Sequence, residues 1–231
     1  IFVLSQAAVL VRLSQAPPDA IGFWRMAIAL PVLAALYFRT HSLTSLVRFS
    51  LRTWLQIFFC AIFLFAHWRL WFMAIEETSV ANAVVCFALS PLFTAVGARL
   101  WFGETIDSKL VMAITLGLIG IIIMVGHSFS LEGAARGDIL GLLSVVCFAV
   151  YILFGKGLRT QMSNLSFTIK VYFLVGSLFA FNLFFNQAEF FNFAPRTWWT
   201  FLALAIGPTL LGHALFTYCL AYLNVNFMTC A

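Results

Sequence analysis

Charge is scarce in this chain. Of its 231 residues, only 9% are Asp, Glu, Lys or Arg, where soluble domains carry about a quarter. A surface so poor in charge excludes contact with water over most of its area. The net charge of +5 is spread along the chain with no basic run to grip a polyanion, so no nucleic-acid partner is expected. The five cysteines, Cys60, Cys86, Cys147, Cys219 and Cys230, form no CxxC pair and all fall in apolar runs. That spacing excludes a disulfide framework and a thiolate metal site, and they read as small packing residues. No cofactor is expected. Neither GxSxG nor HExxH occurs, and Ser5, Ser144 and Ser177 have no histidine at helical spacing, so the chain does not read as an enzyme. It starts at Ile1 and stops at Ala231 inside apolar runs, with no signal peptide, the pattern expected of a protein cut at both ends.

What is abundant is apolar length. Hydrophobic residues make up 63% of the chain and 27 residues are Phe. A helix needs about 20 mostly apolar residues to cross a bilayer. A partial first span covers 1–13. Full spans follow near 20–38, 54–75, 79–102, 109–126, 138–158, 165–186 and 199–222, and a last fragment starts near 224. Runs of this length without alternation predict helices rather than a barrel. The fold class is an all-α membrane protein, with the lipid bilayer as its first partner. Short connections separate the spans: Pro17-Pro18-Asp19, an Arg-bearing segment over 39–53, Gly103 to Lys109, Gly133 to Asp138, and Ala194-Pro195-Arg196.

An internal repeat organises the spans. Sliding the chain against itself by 145 residues places Arg25 on Lys170, Trp54 on Trp199 and Val80 on Val225. Five spans separate the copies. An odd number means that the two copies enter the membrane in opposite directions, an inverted repeat of the kind used by secondary transporters. The expected domains are 1–130, carrying helices 1–5, and 137–231, carrying helices 6–9. Extending the offset predicts about eight residues before Ile1, roughly 40 after Ala231, and ten helices when complete. One face receives Arg39, Arg48, Arg52, Arg99, Lys109, Lys156 and Arg159, the other Arg12, Arg136 and Arg196. The richer face is expected in the cytoplasm, together with the N-terminus.

Several short motifs carry a family likeness. His67-Trp68-Arg69-Leu70-Trp71, Thr78-Ser79-Val80-Ala81, Ser90-Pro91-Leu92 and Gly103-Glu104 resemble the first repeat of the EamA-type drug/metabolite transporter superfamily. Gly212-His213-Ala214-Leu215-Phe216, leading to Ala221-Tyr222-Leu223-Asn224, resembles its second repeat. The likeness covers essentially the whole chain. It implies a ten-helix protein of the bacterial inner membrane with both ends cytoplasmic, exporting metabolites or amino acids. The chain departs from many close relatives at Thr217-Tyr218, where they carry Asn-Trp, and at Glu76.

The charges that remain inside the spans are the candidate site, because a charge in lipid is costly unless it is paired or wetted. Helical rise places Arg69 about 10 Å and Arg25 about 8 Å below the outer boundary, with Lys170 about 8 Å and His213 roughly 12 Å from the cytoplasmic one. A solute bearing a carboxylate would meet Lys170 and His213 first, then Arg25, His67 and Arg69, while Trp24, Trp68 and Trp71 supply flat walls. Trp68 and Trp71 share one face of their helix; Arg69 and Glu76 share another, about 100° away. One face is expected in a cavity and the other on lipid or a neighbouring helix. Glu76 is a candidate proton carrier and a candidate partner for Arg69. Competing readings place Arg25 and Lys170 at the headgroups, the histidines on backbone carbonyls, and Trp24 and Trp71 in an interfacial belt. The function expected is transport of a small organic metabolite, either an amino acid or an aromatic carboxylate. The alternatives are a nucleotide-sugar or phosphorylated-sugar carrier, or a membrane interaction protein without transport. A homodimer is one open option for assembly. The discriminating feature is a polar-lined void near the midplane.

Overall fold

The computed structural model describes residues 2–106, 108–125, 135–219 and 222–223, and among them only helices, turns and connecting segments occur. The helices are α1 Phe2–Ser5, α2 Ala7–Ser14, α3 Pro18–Phe38, α4 Leu43–Val47, α5 Leu51–Glu77, α6 Val80–Phe87, α7 Ser90–Phe102, α8 Ser108–Val125, α9 Ala135–Arg159, α10 Asn164–Phe185, α11 Pro195–Leu204 and α12 Ala214–Cys219, with a π-helical stretch at Ala205–His213 between the last two. Six segments among the described residues are long and apolar enough to cross a membrane: Pro18–Phe38, Leu51–Glu77, Val80–Phe102, Arg136–Arg159, Asn164–Phe185 and Pro195–Cys219. The chain is an all-α, multi-pass membrane protein. The fragment expected from 224 onward, with Val225 and Cys230, lies outside the described residues.

Local chemistry explains where the helices start. Ser50, Ser79 and Ser163 stand in extended backbone before α5, α6 and α10, and each side chain accepts from the N–H three residues on, at Thr53, Asn82 and Ser166. Each such cap satisfies an N–H that the first turn leaves without a partner. The continuous span expected over 79–102 is two helices. Ala88 and Leu89 close tight turns onto Val85 and Cys86, and Pro91 sits in the first turn of α7. Proline has no N–H and its ring collides with the carbonyl four residues back, here that of Phe87. A helix must therefore stop there and restart, with Pro91 where no N–H is needed.

The span expected over 199–222 runs through Ala205–His213 as a wider π-helical coil around Pro208. In a regular helix the Leu204 carbonyl would accept from residue 208, which is proline. The Thr209 hydroxyl donates to that carbonyl instead, at 2.8 Å.

Helix α5 is the central strut, packed along α9 and α10 and touching α2, α3 and α6, while α3 packs along α10. Glycine makes two of these approaches possible. A Cβ on Gly22 of α3 would lie 2.3 Å from the Phe179 ring of α10, and one on Gly137 of α9 would lie 2.8 Å from the Thr78 side chain. The register of α10 matches that of α3 moved by 145 residues to within two residues at each end. Phe181, Phe184 and Phe185 stand exposed on the far side of α10, where a bilayer covers them.

Polar ties close the bundle at two places. At one, Arg12 donates to the Thr78 carbonyl at 2.6 Å, Arg136 pairs with Glu77 at 3.3 Å, and Asp138 accepts from Thr78 and Asn82. At the other, Lys156 pairs with Glu104, which supplies the partner for the Gly103-Glu104 motif, and Arg159 donates to the carbonyls of Thr217 and Met162.

Candidate functional site

The described residues line a partly open cavity of about 640 Å³, bounded by α1 and α2, by α3, by α5, by the α6–α7 break, by α9, by the π-helical stretch and by α12. That volume is in the range that holds metabolite-sized ligands. Its polar side chains come from Arg25, His67, His213, Ser5 and Ser90. Its walls include Trp68, Trp71, Phe87, Phe148, Leu211 and Phe216. Five residues singled out by sequence for a solute site therefore meet in one place: Arg25, His67, Trp68, Trp71 and His213.

Each of these is held by its own element. Arg25 enters from α3 and is 1% exposed. Its guanidinium carbon lies 4.5 Å from the centre of the Trp68 ring and 5.5 Å from that of Phe72, two cation–π contacts that offset part of the cost of burial. Its Nε donates to Thr209 Oγ1 at 3.0 Å. The π-helical stretch sets up that contact: the Thr209 hydrogen is committed to Leu204, so its oxygen lone pairs are free to accept.

His67 is locked to α9. Ser144 Oγ donates to the His67 carbonyl at 3.0 Å, so the serine hydrogen is spent. The 2.8 Å contact from His67 Nδ1 to Ser144 Oγ and the 3.1 Å contact to its carbonyl then place the ring hydrogen on Nδ1. The His213 ring stands edge-on to Trp68, with centroids 5.2 Å apart, and its Nδ1 is buried without a partner among the described residues. Trp68 and His213 are 145 positions apart in the chain.

The other candidates lie elsewhere. Arg69 turns away from the cavity and pairs with Asp19 at 3.0 Å, not with Glu76, which is exposed. Asp19 also accepts from Asn182 at 3.3 Å, so one carboxylate ties α3, α5 and α10. Trp24 is built into an aromatic cluster, 4.6 Å from Trp198 and 5.5 Å from Phe191 by ring centroids, with its Nε1 donating to the Phe190 carbonyl at 2.8 Å. Lys170 lines a second, apolar pocket with Leu30, Pro31, Leu46 and Trp54. Its ammonium is held by the Ser166 hydroxyl and carbonyl and lies 4.2 Å from the centre of the Phe49 ring. Thr209, Ser144 and the phenylalanine walls carried no sequence signal for a site. Pro208, which opens the helix beside Thr209, is the signal that could have found the place.

The Asp19–Arg69 pair yields a stability prediction. Removing the carboxylate with Asp19→Ala strands a partly buried guanidinium, at a cost of about 1–2 kcal/mol, because Arg69 keeps some access to solvent. Thermal melting in detergent should fall by a few degrees. Asp19→Ala combined with Arg69→Met should recover most of the loss, since neither charge is then left alone. A double variant no more stable than Asp19→Ala would show that the pair is not what holds the three helices.

Comparison with known proteins places this geometry in context. The profile described as the EamA-like transporter family matches residues 1–126 and 135–230. The chain is similar to the uncharacterized transporter YyaM of Bacillus subtilis, with 24% identity over 163 residues, covering 67% of this chain and 52% of that protein. An uncharacterized transporter of Archaeoglobus fulgidus is 27% identical over 169 residues, covering 72% of this chain and 58% of its own. The chain thus spans little more than half the length of these relatives. One solved crystal structure superposes with a TM-score of 0.79 over 99% of this chain and 79% of that one, at 19% identity, a likeness of fold.

Proposed function

We propose, for a chain that belongs to the EamA-like transporter family, that the cavity between α3, α5, α9 and the π-helical stretch is the path of a small organic metabolite through the membrane. The family and its relatives point to a non-enzymatic transporter. The single observation that carries the cavity reading is the convergence of Arg25, His67, Trp68, Trp71 and His213 on one void of about 640 Å³. A protein that served only as an interaction scaffold has no reason to leave such a void open, nor to line it with a buried cation.

Alternating access through two inverted halves is the mechanism we favour. Three features support it. Helices α3 and α10, which the 145-residue offset equates, pack against each other. Trp68 and His213, equated by the same offset, stand ring edge against ring face. Asp19 binds Arg69 while the equated Asn164 donates to the Ala214 carbonyl at 2.9 Å. In such a cycle the polar ties around Asp138 and around Lys156–Glu104 would open in turn, each closing one end while the other admits solute. The preferred orientation puts the Lys156 end in the cytoplasm, and resemblance alone favours export. An amino acid or aromatic carboxylate suits the walls. A phosphorylated or nucleotide sugar suits them less, because Lys170 is turned to another pocket and Arg25 is the only lysine or arginine among the described residues that line this one.

The test is a flux screen of amino acids, aromatic acids and sugar phosphates with purified protein in liposomes. Saturable movement of at least one compound supports the reading. If no member of any class moves under gradients of either direction, the cavity is not a path for metabolites of this kind.

A further inference from the structure

We propose that the solute is an organic monoanion whose carboxylate is anchored by Arg25 Nη1, with Trp71 Nε1 and His213 Nδ1 beside it. This rests on the transport reading above and adds the charge of the cargo.

Among the described residues the charge on Arg25 has no counter-charge paired with it. Arg25 is sealed from solvent, and the three ion pairs among the described residues all lie elsewhere. Its one hydrogen bond among the described residues goes to a neutral hydroxyl, that of Thr209, and its stacking partners are the uncharged rings of Trp68 and Phe72. Neither cancels its charge. Asp19, on the same helix, is already committed to Arg69. Buried arginines are ordinarily matched by a carboxylate, and here the match is missing while Nη1 makes no hydrogen bond to any described residue.

Two more residues that line the cavity carry a nitrogen in the same condition. Trp71 Nε1 and His213 Nδ1 are buried and make no hydrogen bond to any described residue. An indole N–H can only donate, so it calls for an acceptor oxygen and is useless to an ammonium. A neutral imidazole Nδ1 gives or takes a hydrogen bond according to its tautomer, and so fits either a carboxylate oxygen or a hydroxyl beside it. The Thr209 bond and the Trp68 face fix the plane of the guanidinium, leaving its donors oriented for a carboxylate. A single cation balances one negative charge; a diphosphate would bring more charge than this wall can neutralise. The rest of the lining, Phe87, Phe148, Leu211 and Phe216, accepts an aromatic or branched aliphatic body.

The test uses three probes with one body and different heads: 3-phenylpropionate, its amide, and 3-phenylpropylamine. Binding to the purified protein in nanodiscs is followed by calorimetry. A hydrogen bond to a charged group supports a preference of roughly 10- to 100-fold, so the acid should bind at least that much more tightly than the amide or the amine. Arg25→Met should erase the difference between acid and amide. Should that variant fail to fold, Trp71→Phe, which keeps a ring and removes the N–H, should weaken the acid by roughly 2- to 10-fold. Equal binding of acid and amide, tighter binding of the amine, or no binding by any of the three overturns the proposal. Saturable flux of a neutral or cationic solute would then leave the transport reading standing without it.

Discussion

Gly22→Leu should leave almost no folded protein to purify. The reason is the contact between α3 and α10, where a Cβ at residue 22 would lie 2.3–2.5 Å from three carbons of the Phe179 ring. Overpacking a close-packed interior usually costs about 1–3 kcal/mol. Here the first added atom already falls inside the van der Waals envelope of a ring that is itself fully buried and wedged against Phe65 and Phe72. The ring has no vacant direction, so the two helices must separate, and the cost should reach the order of 4 kcal/mol or more. Size-exclusion profiles in detergent should show aggregate in place of a monodisperse peak. Gly22→Leu with Phe179→Ala should restore part of the yield, because the new side chain then has room. A Gly22→Leu protein that purifies and melts like the parent would mean that α3 and α10 are not packed as described.

A second substitution should separate fold from function. Ala88 lies in the break between α6 and α7, exposed on the cavity wall. Ala88→Trp places an indole in the void without entering a packed interface, so melting temperature should change little. Flux of whatever solute the screen identifies should drop at least tenfold, since the added ring occupies space the solute must cross. Ala88→Ser, which adds only a hydroxyl, should transport like the parent. Undiminished flux through the Ala88→Trp protein would move the path away from this cavity.

The two substitutions also mark what could be seen in the sequence and what could not. Apolar length alone located the spans, because lipid demands it. Pro91, inside the span expected to be continuous over 79–102, is the helix breaker that could have announced the interruption, though not the full turn at Ala88–Leu89 that it forces. Depth was readable from helical rise, which is why Arg25, Arg69, Lys170 and His213 stood out as charges or potential charges far from water. Azimuth was not. A 3.6-residue period says that Trp68 and Arg69 face different ways, but only the neighbouring helices decide which face meets the void. The Arg69 partner was hidden for a related reason. Asp19 sits in Pro17-Pro18-Asp19, which reads as loop punctuation. It becomes the first turn of α3, where the helix dipole also favours a carboxylate. Lys170 and Trp24 are as deep or as aromatic as the cavity residues. They were diverted by local partners, Ser166 one turn back for the lysine and the Phe190 carbonyl for the tryptophan, neither of which announces itself in a composition pattern.

Thr209 shows the opposite case, a small residue made important by its surroundings. Proline at 208 removes the donor for Leu204, the Thr209 hydroxyl replaces it, and the oxygen so oriented receives Arg25. Widened helical turns are found often at functional positions. This one links the backbone defect to the buried cation through one side chain.

The central claim is that solute occupies the cavity around Arg25, and Cys219 offers the most direct test of it. That thiol lines the cavity and forms no disulfide, as also holds for Cys60, Cys86 and Cys147. Labelling with a charged thiosulfonate reagent, read residue by residue by mass spectrometry, should modify Cys219. The transported solute at saturating concentration should slow that modification several-fold while leaving the rates at Cys86 and Cys147 unchanged. If Cys219 reacts at the same rate with and without a solute that the protein demonstrably moves, the solute does not pass through this cavity.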